Sequence, residues 1–140
     1  MILCGIFQLS EDNTVASGET PSILCMLKQK ELCSVTFVRD YCQFHFDGPD
    51  LSAYPYLNAY VWPCVRQSGR QIVFGSPGYR DALCGLIGAV IKDVVEEPDV
   101  KLALQFSTGS VLEVSLKEED RNGPEAAMFQ DGTGERWNVW

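Results

Sequence analysis

The chain has 140 residues, of which 46% are hydrophobic and 21% are charged, a composition typical of one globular domain and unlike that of a disordered chain. Its formal net charge of −8 argues against direct binding to nucleic acid or to an anionic membrane surface, because both carry the same sign of charge. We therefore expect a single domain over residues 1–140 that contacts neither.

The amino-terminal stretch MILCGIFQL has no basic residue before its apolar part and no small-residue cleavage pattern after it, which is unlike a signal peptide. No apolar run reaches the roughly 20 residues that a membrane span needs. We therefore expect a cytoplasmic protein whose cysteines are reduced. The six cysteines are Cys4, Cys25, Cys33, Cys42, Cys64 and Cys84.

The cysteine spacing also argues against a metal site. There is no C-x-x-C pair, and the only histidine is His45. Structural zinc sites usually draw closely spaced cysteine or histidine ligands, because a short loop holds two ligands on one side of the metal. The sequence therefore predicts no metal and indicates no cofactor.

The first predicted element is a helix over residues 21–32. Thr20 can cap its start, and Pro21 suits the first helical position, where a missing N–H costs little. Ile23, Leu24 and Leu27 would form its apolar face.

Alternation of apolar and polar residues then predicts a strand over residues 35–47. Cys42, Phe44 and Phe46 should point one way, and Tyr41, Gln43 and His45 the other. Asp47, Gly48 and Pro49 break this strand, and residues 51–56 read as a further extended segment.

A second helix is predicted to start at Ser76 and Pro77, because apolar residues come after them at helical spacing. These residues are Leu83, Leu86, Ile87 and Val90. Residues 94–96, 101–106 and 111–116 then read as strands, and the glycine-containing turn at 107–110 joins the last two into a hairpin. Strands that succeed one another through turns, together with two helical patterns, predict an α+β fold with a mainly antiparallel sheet and both helices on one face.

Residues 23–54 and 82–116 share an order of elements, namely helix, strand and hairpin. Leu24-Cys25 matches Leu83-Cys84 in this alignment. Phe46 matches Phe106, Gly48 matches Gly109, and Leu51 matches Leu112. The alternatives are a degenerate duplication of a helix–strand–hairpin unit and a chance match between two parts of an ordinary α+β chain.

Two catalytic interpretations find little support. His45 could act as a base beside Cys42 or Cys64, but alternation places Cys42 on the opposite face of the strand from His45. Gly75, Gly78, Gly85 and Gly88 form neither a G-x-x-x-x-G-K-[ST] nor a G-x-G-x-x-G motif. The last two glycines more naturally allow a helix to approach a strand closely.

A dense group of carboxylates is the strongest candidate for a binding surface. Glu118, Glu119, Asp120 and Glu125 surround the Gly123-Pro124 break. Such a run in a polar loop is usually a solvated surface, and its functional alternative is a docking patch for a basic protein. Tyr54, Tyr56, Tyr60 and Trp62 are expected mainly in the core or at its edge.

The tail VLEVSLKEEDRNGPEAAMFQDGTGERWNVW, with the earlier segments FDGPDLSAY and LCGLIGAVIKDV, resembles small bacterial proteins of the immunity type that accompany secreted toxins. This resemblance covers about two thirds of the chain and carries no motif of defined chemistry. It implies an acidic cytoplasmic protein that occludes a toxin partner.

Two functions are expected from these observations. The first is a non-catalytic protein-binding domain that holds a basic partner, with the immunity type as the form that the resemblance implies. The alternative is a small enzyme or small-molecule binder with a pocket lined by Tyr41, His45 and nearby aromatic residues. The oligomeric state is left open by the sequence.

Overall fold

The fold is mainly β, with two antiparallel sheets and little helix. It is described in a computed structural model for residues 2–3, 20–49 and 53–140. The strands are β1 (Ile2–Leu3), β2 (Glu31–Val38), β3 (Tyr41–Asp47), β4 (Tyr56–Ala59), β5 (Cys64–Gln67), β6 (Arg70–Ile72), β7 (Ile91–Glu97), β8 (Lys101–Phe106), β9 (Val111–Ser115), β10 (Ala127–Gln130) and β11 (Trp137–Val139). The helical elements are 3-10 helices at Ile23–Leu27 and Glu118–Asp120 and the α-helix α1 at Tyr79–Cys84.

The strands form one six-stranded and one five-stranded sheet. The six-stranded sheet has the order β1-β7-β8-β9-β5-β6, and the five-stranded sheet has the order β11-β10-β4-β3-β2. Every strand pairing within the two sheets is antiparallel. This confirms the predicted antiparallel sheet and the predicted hairpin of Lys101–Phe106 with Val111–Ser115.

Both sheets contribute side chains to one buried core. Phe44, Phe46 and Phe129 from the five-stranded sheet and Leu104 and Phe106 from the six-stranded sheet belong to the same cluster. These large side chains are almost fully buried, and their burial is the main favourable contribution to folding. The alternation from residue 41 onward is as predicted, with Cys42, Phe44 and Phe46 buried. The single strand predicted over residues 35–47 is instead divided by a turn at residues 39–40 into the end of β2 and the whole of β3, which pair as a hairpin.

The first predicted helix is wrong in extent and type. Only Ile23–Leu27 is helical, as a 3-10 helix, and the Ser22 hydroxyl rather than Thr20 caps it by accepting from the Leu24 amide. Gln29 then adopts a positive φ of 68°, which ends the helical path. The residues after it instead begin β2, because their backbone finds partners in the segment before β7: the Leu32 amide donates to the Ala89 carbonyl at 3.0 Å.

The second predicted helix is also shorter than expected. It covers Tyr79–Cys84, and Leu83 and Leu86 face the core as predicted, whereas Ile87 is 45% exposed. Gly88 has a φ of 91°, a conformation that glycine adopts without strain and that turns the chain into β7. The architecture with two helices on one face is therefore replaced by two packed sheets.

The two halves of the chain correspond closely around the crossing between β2 and β7. The Gln29 amide donates to the Ile91 carbonyl, and the equivalent Gly88 amide donates to the Leu32 carbonyl, both at 2.8 Å. The other pair of bonds, Leu32 to Ala89 and Ile91 to Lys30, is related in the same way. Glu31 and Val90 lie at the centre as an antiparallel bridge.

The correspondence extends through the sheets. Both β2 and β7 carry a register shift at the same relative place, after Leu32 and after Ile91, and these two residues pair with Phe46 and Phe106. The Leu24-Cys25 and Leu83-Cys84 segments lie in the helical turn that precedes each strand. The predicted match of Leu51 with Leu112 cannot be placed, since Leu51 lies outside the described residues.

A crossing of hairpins links the halves. Strands β2, β3 and β4 correspond to β7, β8 and β9 in sheet order, but the β5–β6 hairpin that comes after β4 pairs with β9. The β10–β11 hairpin that comes after β9 pairs with β4. Each half therefore completes the sheet of the other half.

The cysteines differ from the sequence expectation. Cys33, Cys42, Cys64 and Cys84 are free thiols. Cys25 is disulfide-bonded, so the prediction that every cysteine is reduced is wrong at this position. The same prediction for Cys4 falls outside the described residues.

One further finding concerns the membrane. Among the helices in the described part of the chain, none is long and apolar enough to span a bilayer.

Candidate functional site

The predicted binding residues lie in the connection between β9 and β10. Glu118–Asp120 forms a single 3-10 turn, and Glu118, Glu119, Asp120 and Glu125 are all exposed. The Asp120 carboxylate accepts a hydrogen bond from the Ser115 hydroxyl at 2.5 Å, which anchors the start of the turn to β9. We call residues 117–125 the acidic loop.

Arg121 holds the acidic loop in shape through its backbone rather than its carboxylates. Its guanidinium donates to the Leu116 carbonyl at 3.0 Å and to the Pro124 carbonyl at 3.1 Å. Within residues 20–49 and 53–140, every ion pair involves carboxylates outside this loop. The carboxylates of the loop are therefore exposed to solvent and form no ion pair with any side chain in the described part of the chain.

The four predicted residues do not share one depression. Glu118 and Glu119 line a shallow depression together with Asp99 and Arg121. Asp120 instead lines a neighbouring pocket on the outer face of the six-stranded sheet. Glu125 lines neither of these two depressions.

That neighbouring pocket contains an ion cluster around Glu113. Glu113 is 10% exposed at its side chain and contacts the Arg66 guanidinium and the Lys101 ammonium, the latter at 2.8 Å. Burial alone would raise the pKa of Glu113, but hydrogen bonds from Lys101 and Arg66 outweigh it and leave that pKa below its ordinary value. The equivalent position in the other half is Asn58, which is also buried.

The alternative site near Tyr41 and His45 lies on the outer face of the five-stranded sheet. The Tyr41 and Tyr60 rings meet edge to face at 5.5 Å, and the His45 ring lies 5.5 Å from Tyr56. The His45 Nδ1 atom is 3.3 Å from the Ser34 hydroxyl. The structure thus brings these aromatic residues together on a sheet face.

The pairing of His45 with a cysteine is not formed. Cys42 is fully buried on the core side of β3, whereas His45 faces outward. Burial raises the pKa of the Cys42 thiol to about 12, which disfavours the reactive thiolate. Cys64 lies on β5 in the other sheet.

An aromatic groove was missed by sequence reasoning. The Trp62 and Phe74 rings stack at 4.5 Å, and Tyr79 meets Phe74 edge to face at 5.8 Å. Phe37 from the end of β2 completes the groove, and two arginines border it. The lining residues are Phe37, Val38, Arg39, Trp62, Phe74, Tyr79 and Arg80. The sequence could not predict the aromatic groove from residue spacing, because its residues come from separate elements.

The glycines considered for a phosphate-binding loop and the possible metal ligands are the remaining candidates from the sequence. Gly85 and Gly88 come after α1 and shape its exit toward β7, and α1 has only six residues. In the described ranges, no three His, Cys, Asp or Glu side chains are grouped so that they could hold a metal ion.

No protein-family model, curated protein or solved structure matches this chain.

Proposed function

We propose that the chain is a non-catalytic protein-binding domain that holds a basic partner against its acidic loop. The observation that carries this proposal is the exposure of Glu118, Glu119, Asp120 and Glu125 with no ion pair to a described cation. An immunity-type role, in which the partner is a toxin, is the specific form that the sequence resemblance suggests.

The position of the acidic loop within the repeated architecture supports this proposal. In the first half, residues 60–63 suffice to connect β4 to β5. In the second half, the equivalent connection from β9 to β10 takes residues 116–126. The acidic loop is therefore an addition to a connection that the fold can make with fewer residues, and long exposed loops disproportionately carry binding residues.

Electrostatics gives the acidic loop a defined role. The whole chain carries a net charge of −8, so a basic partner is attracted from a distance and the loop concentrates that field locally. Such steering mainly raises the association rate, and salt weakens it because exposed charges are screened over about 8 Å at physiological ionic strength. The proposal thus predicts a salt-dependent association rate.

The partner can be sought by affinity purification from the native host, followed by mass spectrometry. With that partner in hand, the test variant reverses Glu118, Glu119 and Asp120 to lysine. The matched control reverses Glu135, Asp40 and Glu31, three carboxylates that are exposed elsewhere, so that both variants change the net charge equally. We expect the loop variant to associate at least about tenfold more slowly at low salt and to lose most of its salt dependence. Equal association rates for loop variant and wild type would reject the acidic loop as the docking site.

A second candidate function is small-molecule binding on the outer face of the five-stranded sheet. One network favours it: the Gln43 amide donates to Asn58 at 2.9 Å, Asn58 donates to the Tyr60 hydroxyl at 3.2 Å, and Tyr41 packs on Tyr60. Ordered polar groups beside aromatic rings are typical of small-molecule sites. Chemical shifts of the His45 ring during a metabolite screen would detect such a ligand, and a screen without shifts would remove this candidate.

Two finer points belong to the same proposal. A cytoplasmic location is supported by the four free thiols, although the disulfide at Cys25 is unusual for that compartment. The intact mass of protein purified in the presence of an alkylating agent shows whether Cys25 is reduced, as expected in the cytoplasm, or disulfide-bonded. We also propose that the halves arose by duplication, which their matching hydrogen bonds at the β2–β7 crossing support.

A further inference from the structure

The two corresponding sheet edges, at β7 and β2, differ in whether a strand covers them. On the six-stranded sheet, β1 adds to the edge of β7, with Ile2 opposite Glu96 and Leu3 opposite Val95. The equivalent residues of β2 are Phe37 and Thr36. Beyond Leu32, where the segment before β7 is bonded, no described strand pairs with the outer edge of β2.

The outer edge of β2 lacks two of the features that usually protect an edge strand, namely shortness and a lysine or proline residue. It carries a register shift after Leu32, but β7 carries the equivalent shift and still pairs with β1. Protected edges are short or carry lysine or proline, because unpaired N–H and C=O groups otherwise invite another strand. Strand β2 spans eight residues, Glu31–Val38, and contains neither lysine nor proline. Its backbone can therefore accept an added strand in the way that β7 accepts β1.

The aromatic groove lies where the side chain of an added strand would point. Residues directly opposite each other in an antiparallel pair project to the same face. Phe37 lines the groove and is 37% exposed, and Phe74 on the far wall is 51% exposed. The groove volume of about 260 Å³ lies below the roughly 300 to 1,000 Å³ of small-molecule pockets, which suits one inserted side chain.

Charge at the groove selects the kind of strand. Arg39 is 93% exposed at its side chain, and its closest carboxylate, Asp40, is 4.0 Å away and 87% exposed. Arg80 also lines the groove, is exposed, and forms no ion pair with the described residues. These two cations favour acidic side chains on the added strand. A second copy of this chain is disfavoured, because two chains of charge −8 repel each other.

We infer that residues 33–38 of β2 bind an extended segment of a partner protein by strand addition. That segment places an apolar side chain opposite Phe37, in the aromatic groove, and acidic side chains against Arg39 and Arg80. The inference goes beyond the acidic loop, since it concerns a second surface with the opposite charge preference and adds backbone hydrogen bonds to the recognition.

The test begins with selection from a displayed library of random 12-residue peptides against the full chain. We expect enriched peptides to alternate apolar and polar residues and to contain aspartate or glutamate. A synthetic peptide of the enriched sequence should protect from hydrogen exchange those backbone amides of residues 33–38 that point away from β3, since the alternate amides already bond to β3. No enrichment, or enriched peptides that protect other amides, would overturn the inference.

Two variants and their controls locate the binding. Phe37→Lys should raise the Kd of the selected peptide at least about tenfold, as expected for a central apolar anchor. Its control, Trp137→Lys, alters an exposed aromatic residue on the opposite edge strand of the same sheet and should leave the Kd unchanged. Equal effects of the two variants would contradict the inference.

The charge variants keep the test valid if Phe37→Lys does not fold. The double change of Arg39 and Arg80 to glutamate should raise the Kd about fivefold or more, whereas the same change at Arg70 and Arg136, which are exposed elsewhere, should have little effect. Equal effects of the two pairs would contradict the acidic preference.

Other occupants of the edge give distinct results. If those amides of residues 33–38 that point away from β3 already resist exchange in the monomeric free protein, the chain covers its own edge and the inference is wrong. A dimer in sedimentation that Phe37→Lys dissociates would place a second copy there and would also overturn it. Reversal of the acidic loop should leave peptide binding intact, which separates this inference from the proposed function.

Discussion

Replacement of Glu113 by glutamine tests the ion cluster on the six-stranded sheet. The Glu113 side chain is 10% exposed and accepts hydrogen bonds from Arg66 and Lys101. Glutamine keeps the size and one acceptor oxygen but removes the charge. The variant therefore isolates the charge-dependent part of the cluster with little change in packing.

The loss of stability expected for Glu113→Gln lies between two limits. Loss of one partner from a fully buried ion pair costs about 3 to 5 kcal/mol, because a buried charge is left alone. An exposed pair contributes about 0 to 1 kcal/mol. Since Arg66 is 52% and Lys101 38% exposed at their side chains, solvent screens the cations that remain. We expect Glu113→Gln to lower the free energy of unfolding by about 1 to 2 kcal/mol.

The contribution of Glu113 to stability depends on pH, and the direction of this dependence follows from its pKa. The pKa of Glu113 is lowered in the folded protein, so its carboxylate stabilises the fold above the ordinary glutamate pKa of about 4.3. That contribution is lost as the pH falls through the folded pKa. The difference in stability between wild type and Glu113→Gln should therefore be constant near neutral pH and shrink below about pH 4.

Urea denaturation monitored by tryptophan fluorescence at several pH values measures both effects. Glu135→Gln is the control, because Glu135 is exposed and forms no ion pair with a described residue. A loss below about 0.3 kcal/mol would contradict the estimate made from burial. A stability difference that stays constant down to about pH 2 would refute the assignment of the effect to the Glu113 charge.

Three further predictions concern backbone strain and thiol burial. Gln29→Gly should raise the free energy of unfolding by about 0.5 to 1 kcal/mol in urea titrations. The reason is that Gln29 has a φ of 68°, and the equivalent residue in the other half is a glycine, Gly88, with a φ of 91°. A lower stability of the variant would contradict this. Gly132→Ala should be more destabilising than Gly134→Ala in the same assay. Both glycines have a positive φ, but only at Gly132 would the added Cβ lie 2.7 Å from a carbonyl oxygen, that of Tyr54. Equal losses of stability would show that this contact relaxes. Cys42, buried and with its pKa raised to about 12, should resist alkylation at about pH 8 until the protein unfolds, as read by mass spectrometry; rapid labelling would show that the core opens there.

Period-two alternation predicted the sheets better than helical spacing predicted the helices. The alternation in β3 and in the β8–β9 hairpin reflects burial of one face, which local sequence records directly. The first helix failed because Leu24 and Leu27 have a spacing that a 3-10 turn buries equally well. The path of residues 29–32 was decided by pairing with residues 88–91, which are remote in sequence.

The candidate site shows the same division between local and remote information. Glu118, Glu119 and Asp120 could be named from sequence because they are consecutive, and their exposure is a consequence of their polarity. The aromatic groove and the ion cluster at Glu113 could not, since their members come from strands and loops that only the fold brings together. For the ion cluster the crossing of the two hairpins is the reason, because it pairs β5 with β9 and so brings Arg66 to Glu113.

Both proposed binding surfaces lie where the correspondence between the halves breaks down. The core and the β2–β7 crossing keep equivalent hydrogen bonds in both halves, as expected for features needed to fold. The acidic loop has no counterpart in the short connection at residues 60–63. Among the described strands, none pairs with the outer edge of β2 in the way that β1 pairs with β7. Two corresponding halves can differ wherever folding does not depend on the difference. The departures from symmetry are therefore the places where binding is to be tested first.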